Sequence, residues 1–326
     1  MIYMRTEKKL SWKGIWTILK ESFKGFSNDK LPKLAGSLAY YTVFSMGPLL
    51  IVIIFLSSIF LEKEMIEGTI YGQLENFLGA KSAKELQAII QNASLKGKSS
   101  FPAVIGIITL LIGATSVFAE IQDSINTIWG LKAKPKKGWL KMLRNRFLSF
   151  SVIASLGFIL IVSLAITALV DIFSRKLQAQ FPDTAVVIFY IVNQLLTLAV
   201  LTLIFGVIFR VLPDAKIKWK DVLAGALITA VLFMLGKFAI SIYIAKTDVG
   251  STYGAAGALV ILIVWTYYSS LILYLGAEFT KSYALHYGSE ILPNDYAVAT
   301  KEVEIETGNK SLQQNEKEKK QLRSTK

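Results

Sequence analysis

AAGALVILIVWTYYSSLILYLGA, Ala255 to Ala277, carries no charged residue from end to end. A bilayer core takes about 20 apolar residues to cross as a helix, because each residue advances the chain by about 1.5 Å. The stretch reads as a membrane span. The same test finds five more runs: Leu38 to Leu61, Phe101 to Ala119, Phe147 to Val170, Ala185 to Phe209 and Val222 to Ala245. Only the last of these five holds a charge, Lys237. Strands of a membrane barrel alternate over about ten residues, whereas these runs are continuously apolar, so they are helices. The expected fold class is all-α, a polytopic membrane protein with six transmembrane helices.

Composition agrees. The 326 residues are 53% hydrophobic and only 18% charged, with a mean hydropathy of +0.49. There is no Cys, and the one His is His286. Disulfide scaffolds and metal sites built on thiolates or clustered imidazoles are thereby excluded, and no metal or cofactor is expected.

Orientation follows from the basic residues flanking the spans. In a six-span arrangement, 27 Lys and Arg fall on one side and 8 on the other. The positive-inside rule then places both termini in the cytoplasm. The chain divides into a cytoplasmic amphipathic segment (1–35), the membrane domain (36–288) and a tail (289–326). The tail is rich in Lys, Glu, Gln and Ser and is expected to be disordered. In the first segment Trp12, Ile15, Trp16, Leu19, Phe23 and Phe26 recur at helical spacing among Lys13, Lys20, Glu21 and Lys24. This pattern predicts an amphipathic helix at the cytoplasmic interface, with packing against the chain's own loops as the alternative.

Polar groups inside a bilayer are costly and therefore mark candidate sites. Lys237 and Asn193 each lie eight residues from the outer end of their spans, at about 12 Å depth. Asn193 and Gln194 could thus meet the Lys237 ammonium; the alternative is a snorkelling or packing lysine. The first span holds Tyr40, Tyr41, Ser45 and the pair Gly47-Pro48, where a kink or local unwinding is expected. These residues form one candidate substrate cavity. Glu120 and Asp123 share a helix face at the end of the second span, as ion or proton sites or as a solvated helix end. Glu278 is a similar candidate, with Arg210 as its expected partner. Lys132, Lys134, Lys136, Lys137, Lys141, Arg144 and Arg146 interleave with Trp139 and Leu140. Such a juxtamembrane cluster suits anionic lipid or serves as a topology signal, and nucleic acid is not expected as a partner.

Four ordered motifs carry a resemblance: LAGSLAYYTVFSMGPLL (Leu34 to Leu50), SVFAEIQDSINTIWG (Ser116 to Gly130), RVLPDAKIKWKDVLAGALITAVLF (Arg210 to Phe233) and STYGAAGALVILIVWTYYSSLILYLGAEF (Ser251 to Phe279). Together they look like the YihY/BrkB family of bacterial inner-membrane proteins. The resemblance implies six spans and an inner-membrane location. That family has been labelled ribonuclease or virulence factor, with transport of lipids or small molecules also proposed, and it brings no agreed catalytic residues. RNA cleavage requires a general base and acid or a metal cluster in an aqueous site. Lacking these, the chain is expected to be no enzyme but a transporter or lipid-handling protein for an anionic lipid or solute. A structural or regulatory membrane component is the alternative.

Overall fold

The computed structural model describes residues 11–57, 116–133, 182–247, 257–288, 290–295 and 297–300, with isolated positions 113, 159, 162, 253 and 314. Nearly all of the third expected span, most of the second, and the basic cluster beyond Ala133 lie outside these residues. Those described form helices α1 (Trp12–Asn28) and α2 (Leu31–Ser57), then α3 (116–128). Further along come α4 (Pro182–Val211), α5 (Trp219–Thr247) and α6 (Gly257–His286). Four short strands complete the set: β1 (Leu131–Ala133), β2 (Ala215–Lys216), β3 (Leu292–Pro293) and β4 (Ala297–Ala299). Among the described residues three stretches are long and apolar enough to cross a membrane: Val187–Val211, Trp219–Ile240 and Leu259–His286.

α6 is the hub. It packs on α1, α2 and α5, while α4 packs on α5. The α5–α6 seam comes from two matching pentapeptides, GALIT (225–229) and GAEFT (276–280). Gly225 lies against Thr280, and Gly276 lies against Thr229. Each threonine hydroxyl donates to the carbonyl of the glycine four residues before it, Thr229 to Gly225 and Thr280 to Gly276, both at 2.7 Å. Small residues let the two backbones approach closely, which is how helices gain contact where lipid supplies no hydrophobic drive.

α2 continues unbroken through Gly47-Pro48, so the local unwinding expected there does not occur. Proline removes only one rung of the ladder, the bond to the carbonyl of residue 44, and the rungs on either side carry the helix past it.

α1 begins at Ser11, whose Oγ accepts from the Gly14 N–H at 3.2 Å. The Tyr287 hydroxyl, at the end of α6, accepts from the Ser11 N–H at 2.9 Å and so ties this cap to the bundle. Gly14 meets Tyr287 and Gly25 meets Glu278, so α1 runs antiparallel to the last turns of α6. Its packed stripe is Gly14, Ile18, Ser22 and Gly25. Trp12, Trp16 and Phe23 face outward at 84%, 68% and 65% exposure. The amphipathic helix is present, and its small-residue face rather than its aromatic face makes the intramolecular contact. A left-handed Lys30 (φ 53°) turns the chain into α2.

The tail departs from expectation up to Thr300. β4 pairs antiparallel with β1, and β3 pairs antiparallel with β2. Gly130, at φ +65°, ends α3, and its carbonyl accepts from the Thr300 N–H at 2.7 Å. Residues 290–300 include Ile291, Leu292, Ala297, Val298 and Ala299, and their backbone groups pair with the open edges of two loops, which the polar composition of the rest of the tail does not reveal. A chain ending at Gly288 should therefore melt about 4 °C or more below one ending at Thr300, as thermal unfolding in a single detergent would show. Equal melting temperatures would mean the strands contribute nothing.

Candidate functional site

The outward-facing polar residues come first. Gly206 of α4 sits against Leu223 and Ala226 of α5. Counting thirteen residues along each antiparallel helix from there brings Asn193 level with Lys237, as the sequence depth predicts. All three of Asn193, Gln194 and Lys237 are nevertheless exposed. No hydrogen bond from the Asn193 or Gln194 side chain to Lys237 is present among the described residues. Tyr40 and Tyr41 of α2 are exposed as well, with ring centroids 5.5 Å apart. Ser45 is buried against Gly113, and its hydroxyl donates to the Tyr41 carbonyl. The Pro48 side chain lies outside the description. α2 and the α4–α5 hairpin flank α6 without substantial contact with each other among the described residues. The two halves of the expected cavity are therefore not brought together there.

Buried polar groups gather instead at the strand-bearing end. On α3, Glu120 is half-buried while Asp123 and Thr127 are exposed, so the two carboxylates do not form one site. Three residues separate them, which at about 100° per residue leaves Asp123 about 60° further round the helix, at the surface. Glu120 lies near enough to act electrostatically on the Tyr274 phenol, and Ser124 approaches the same hydroxyl. Neither the Ser124 nor the Tyr274 hydroxyl makes a hydrogen bond of ordinary geometry, although both are buried. Two hydroxyls that do pair leave one O–H donor over, so this locus has polar capacity beyond what the pair itself can fill.

Arg210, at the end of α4, does not pair with Glu278. Glu278 meets Lys281 at 3.4 Å, because these residues stand one turn apart on α6. Arg210 has a buried Nε without a hydrogen-bond partner and makes no ion pair with a described carboxylate. Lys132 is exposed on β1, and the other basic residues of its cluster lie beyond the description.

A second polar knot was not apparent from the sequence. Asp214, in the α4–α5 turn, accepts from Gln122 Nε2 at 2.9 Å and Asn126 Nδ2 at 3.0 Å. Its N–H donates to Asn126 Oδ1 at 2.9 Å, and its carbonyl accepts from the Asn294 N–H at 2.9 Å. Trp129 Nε1 donates to the Ala277 carbonyl at 3.0 Å, fastening α3 to α6. Every donor and acceptor named in this knot is matched, so it holds the site rather than forming one. Among the described residues no cluster of His, Asp or Glu could hold a metal ion.

The sequence profile described as Virulence factor BrkB matches residues 22–297. A UPF0761 membrane protein of Psychromonas ingrahamii is 31% identical, over 78% of this chain and 82% of its own length. Proteins of the same name from Vibrio campbellii and Aeromonas salmonicida are 30% and 29% identical, covering 79% and 78% of this chain and 79% and 84% of their own. No solved structure matches. A match that spans the apolar helices, the Asp214 turn and the Ser116–Gly130 motif takes in most of the chain, which belongs to the BrkB family of membrane proteins.

Proposed function

We propose that the protein is a six-span transporter or lipid-handling protein of the bacterial inner membrane, with both termini cytoplasmic. Its cargo is an anionic lipid or solute, and it carries out no catalysis. The observation that supports this is the buried pair Ser124 and Tyr274, whose hydroxyls make no hydrogen bond of ordinary geometry among the described residues. A purely structural bundle gains nothing from such groups, whereas a solvated polar path needs them. Arg210 supports an anionic cargo, because among the described residues its guanidinium pairs with no carboxylate, and such a group favours an anion. The juxtamembrane lysines starting at Lys132 would gather anionic headgroups at the mouth of the path.

Proteoliposomes carrying fluorescent phosphatidylglycerol test the reading. Tyr274→Phe should leave thermal stability unchanged or raise it by up to about 1 kcal/mol, since an unmatched hydroxyl is removed. The same change should lower transbilayer movement about tenfold, as should Arg210→Gln, with Arg210→Lys keeping part of the rate. Wild-type protein that moves neither this lipid nor a small anion would favour the structural or regulatory alternative.

A further inference from the structure

Glu278, 1% exposed, is the most deeply buried of the described carboxylates. Gly25 of α1 lies directly over it, so close that a Cβ there would fall 2.5 Å from the carboxyl carbon. Bare backbone covers the acid, and no counter-ion side chain fits between. Its charged company is one ammonium and one further carboxylate. Lys281 Nζ lies 3.4 Å from Glu278 Oε1 and 3.2 Å from Asp29 Oδ2. The Asp29 carboxyl, in the α1–α2 turn, therefore shares its ammonium with Glu278. One ammonium cannot neutralise both carboxylates, and the buried one is the costlier to leave charged.

The other titratable groups near this contact are few. His286 and Tyr287 meet α1 at Gly14, two to three turns away, and Asp221 of α5 faces Gly288. Glu120 of α3 acts on Tyr274, one turn before Glu278. Lys20, Glu21 and Lys24 of α1 and Lys30 and Lys33 beyond it are exposed.

We propose that Glu278 carries a proton while α1 lies over it, and that this proton holds α1 docked on α6. Loss of the proton places a second negative charge beneath Gly25, where among the described residues only the ammonium already shared with Asp29 offsets it. The charge is relieved when α1 lifts away, and the left-handed Lys30 provides a pivot. The docked state binds a proton that the free state, with an ordinary glutamate of pKa about 4.3, releases near neutrality. Docking is therefore strongest in acid and weakens as pH rises. Because Trp12, Trp16 and Phe23 ride on the open face of α1, the proton would govern where that aromatic face sits. This device stands whether or not the membrane domain is a transporter.

The lack of native cysteine allows a clean measurement. Spin labels at Lys13→Cys and Leu285→Cys, in the full chain in nanodiscs, report the distance between α1 and α6. In the wild-type background the short-distance population should fall severalfold between about pH 6 and about pH 9. Glu278→Gln should stay docked throughout. Asp29→Asn should also lose the pH dependence, because Glu278 and Lys281 then pair one to one. His286→Gln should titrate as the wild type does. Infrared difference spectra should show a protonated carboxyl band that disappears in Asp29→Asn, a readout available even if Glu278→Gln folds poorly. A wild-type distance that does not change with pH, or a Glu278→Gln variant that titrates normally, would overturn the proposal.

Discussion

Gly276→Val should cost the protein its folded bundle. A Cβ at this position would stand 2.0 Å from Thr229 Oγ1, 2.7 Å from its Cγ2 and 2.9 Å from its Cβ. Thr229 cannot simply rotate away, because its hydroxyl donates to the Gly225 carbonyl and Gly225 is itself pressed against Thr280. Any relief therefore pushes α5 and α6 apart along the whole seam. Overpacking of a core costs about 1–3 kcal/mol when neighbours can shift, and more when they cannot. Gly276→Ala should be intermediate. Moving the bulk across the seam, with Gly276→Ala and Thr229→Gly together, should recover most of the loss. Thermal unfolding and size-exclusion profiles in one detergent read the series, and a Gly276→Val protein that melts like the wild type would show the seam to be loose.

Three of the six expected runs recur as long apolar helices among the described residues, because an uninterrupted apolar run has few alternatives in a bilayer. The expected runs 185–209 and 222–245 are nested within α4 and α5. α6 starts two residues later than expected and continues nine further, past Glu278. Hydropathy marks the hydrocarbon depth, whereas polar turns extend the helix into the interface, so only the ends were missed. Rotation about each helix axis was not legible. A helix that is apolar all round gives no direction, and Lys237 and Asn193, level with each other along α4 and α5, are both exposed. α1 has a clear direction, but its aromatic stripe is the conspicuous feature and its small-residue stripe makes the contact. The signal for that contact was glycine at 14 and 25, and for the α5–α6 seam the repeated Gly-xxx-Thr, neither of which is hydrophobic. Asp214 gave no sign at all. It stands as one acid among lysines in a loop, and its partners Gln122 and Asn126 lie 92 and 88 residues away.

That distance in sequence is why Asp214→Ala is expected to have the second large effect. Asp214 is buried, and its carboxylate receives both amides of α3 while its backbone serves Asn126 and Asn294. Alanine keeps the backbone bonds and removes the acceptor, leaving the buried Asn126 amide and the part-buried Gln122 amide as donors with nothing to meet. Each stranded group costs about 1–3 kcal/mol, so a loss of about 2–5 kcal/mol is expected. Asp214→Asn should fall between, because its amide keeps one oxygen but turns an NH₂ toward two donors. The exposed pair Lys216 and Asp295, 2.7 Å apart, gives an internal comparison. Breaking that pair by Asp295→Asn should change stability by no more than about 0.5 kcal/mol. The carboxylate acts through α3, so Asp214→Ala and Asn126→Ala should be strongly non-additive, with a coupling of about 1–3 kcal/mol in a double-mutant cycle. Additive losses, or an Asp214→Ala protein that melts within about a degree of the wild type, would mean that the two helices and the turn are held by their apolar contact alone.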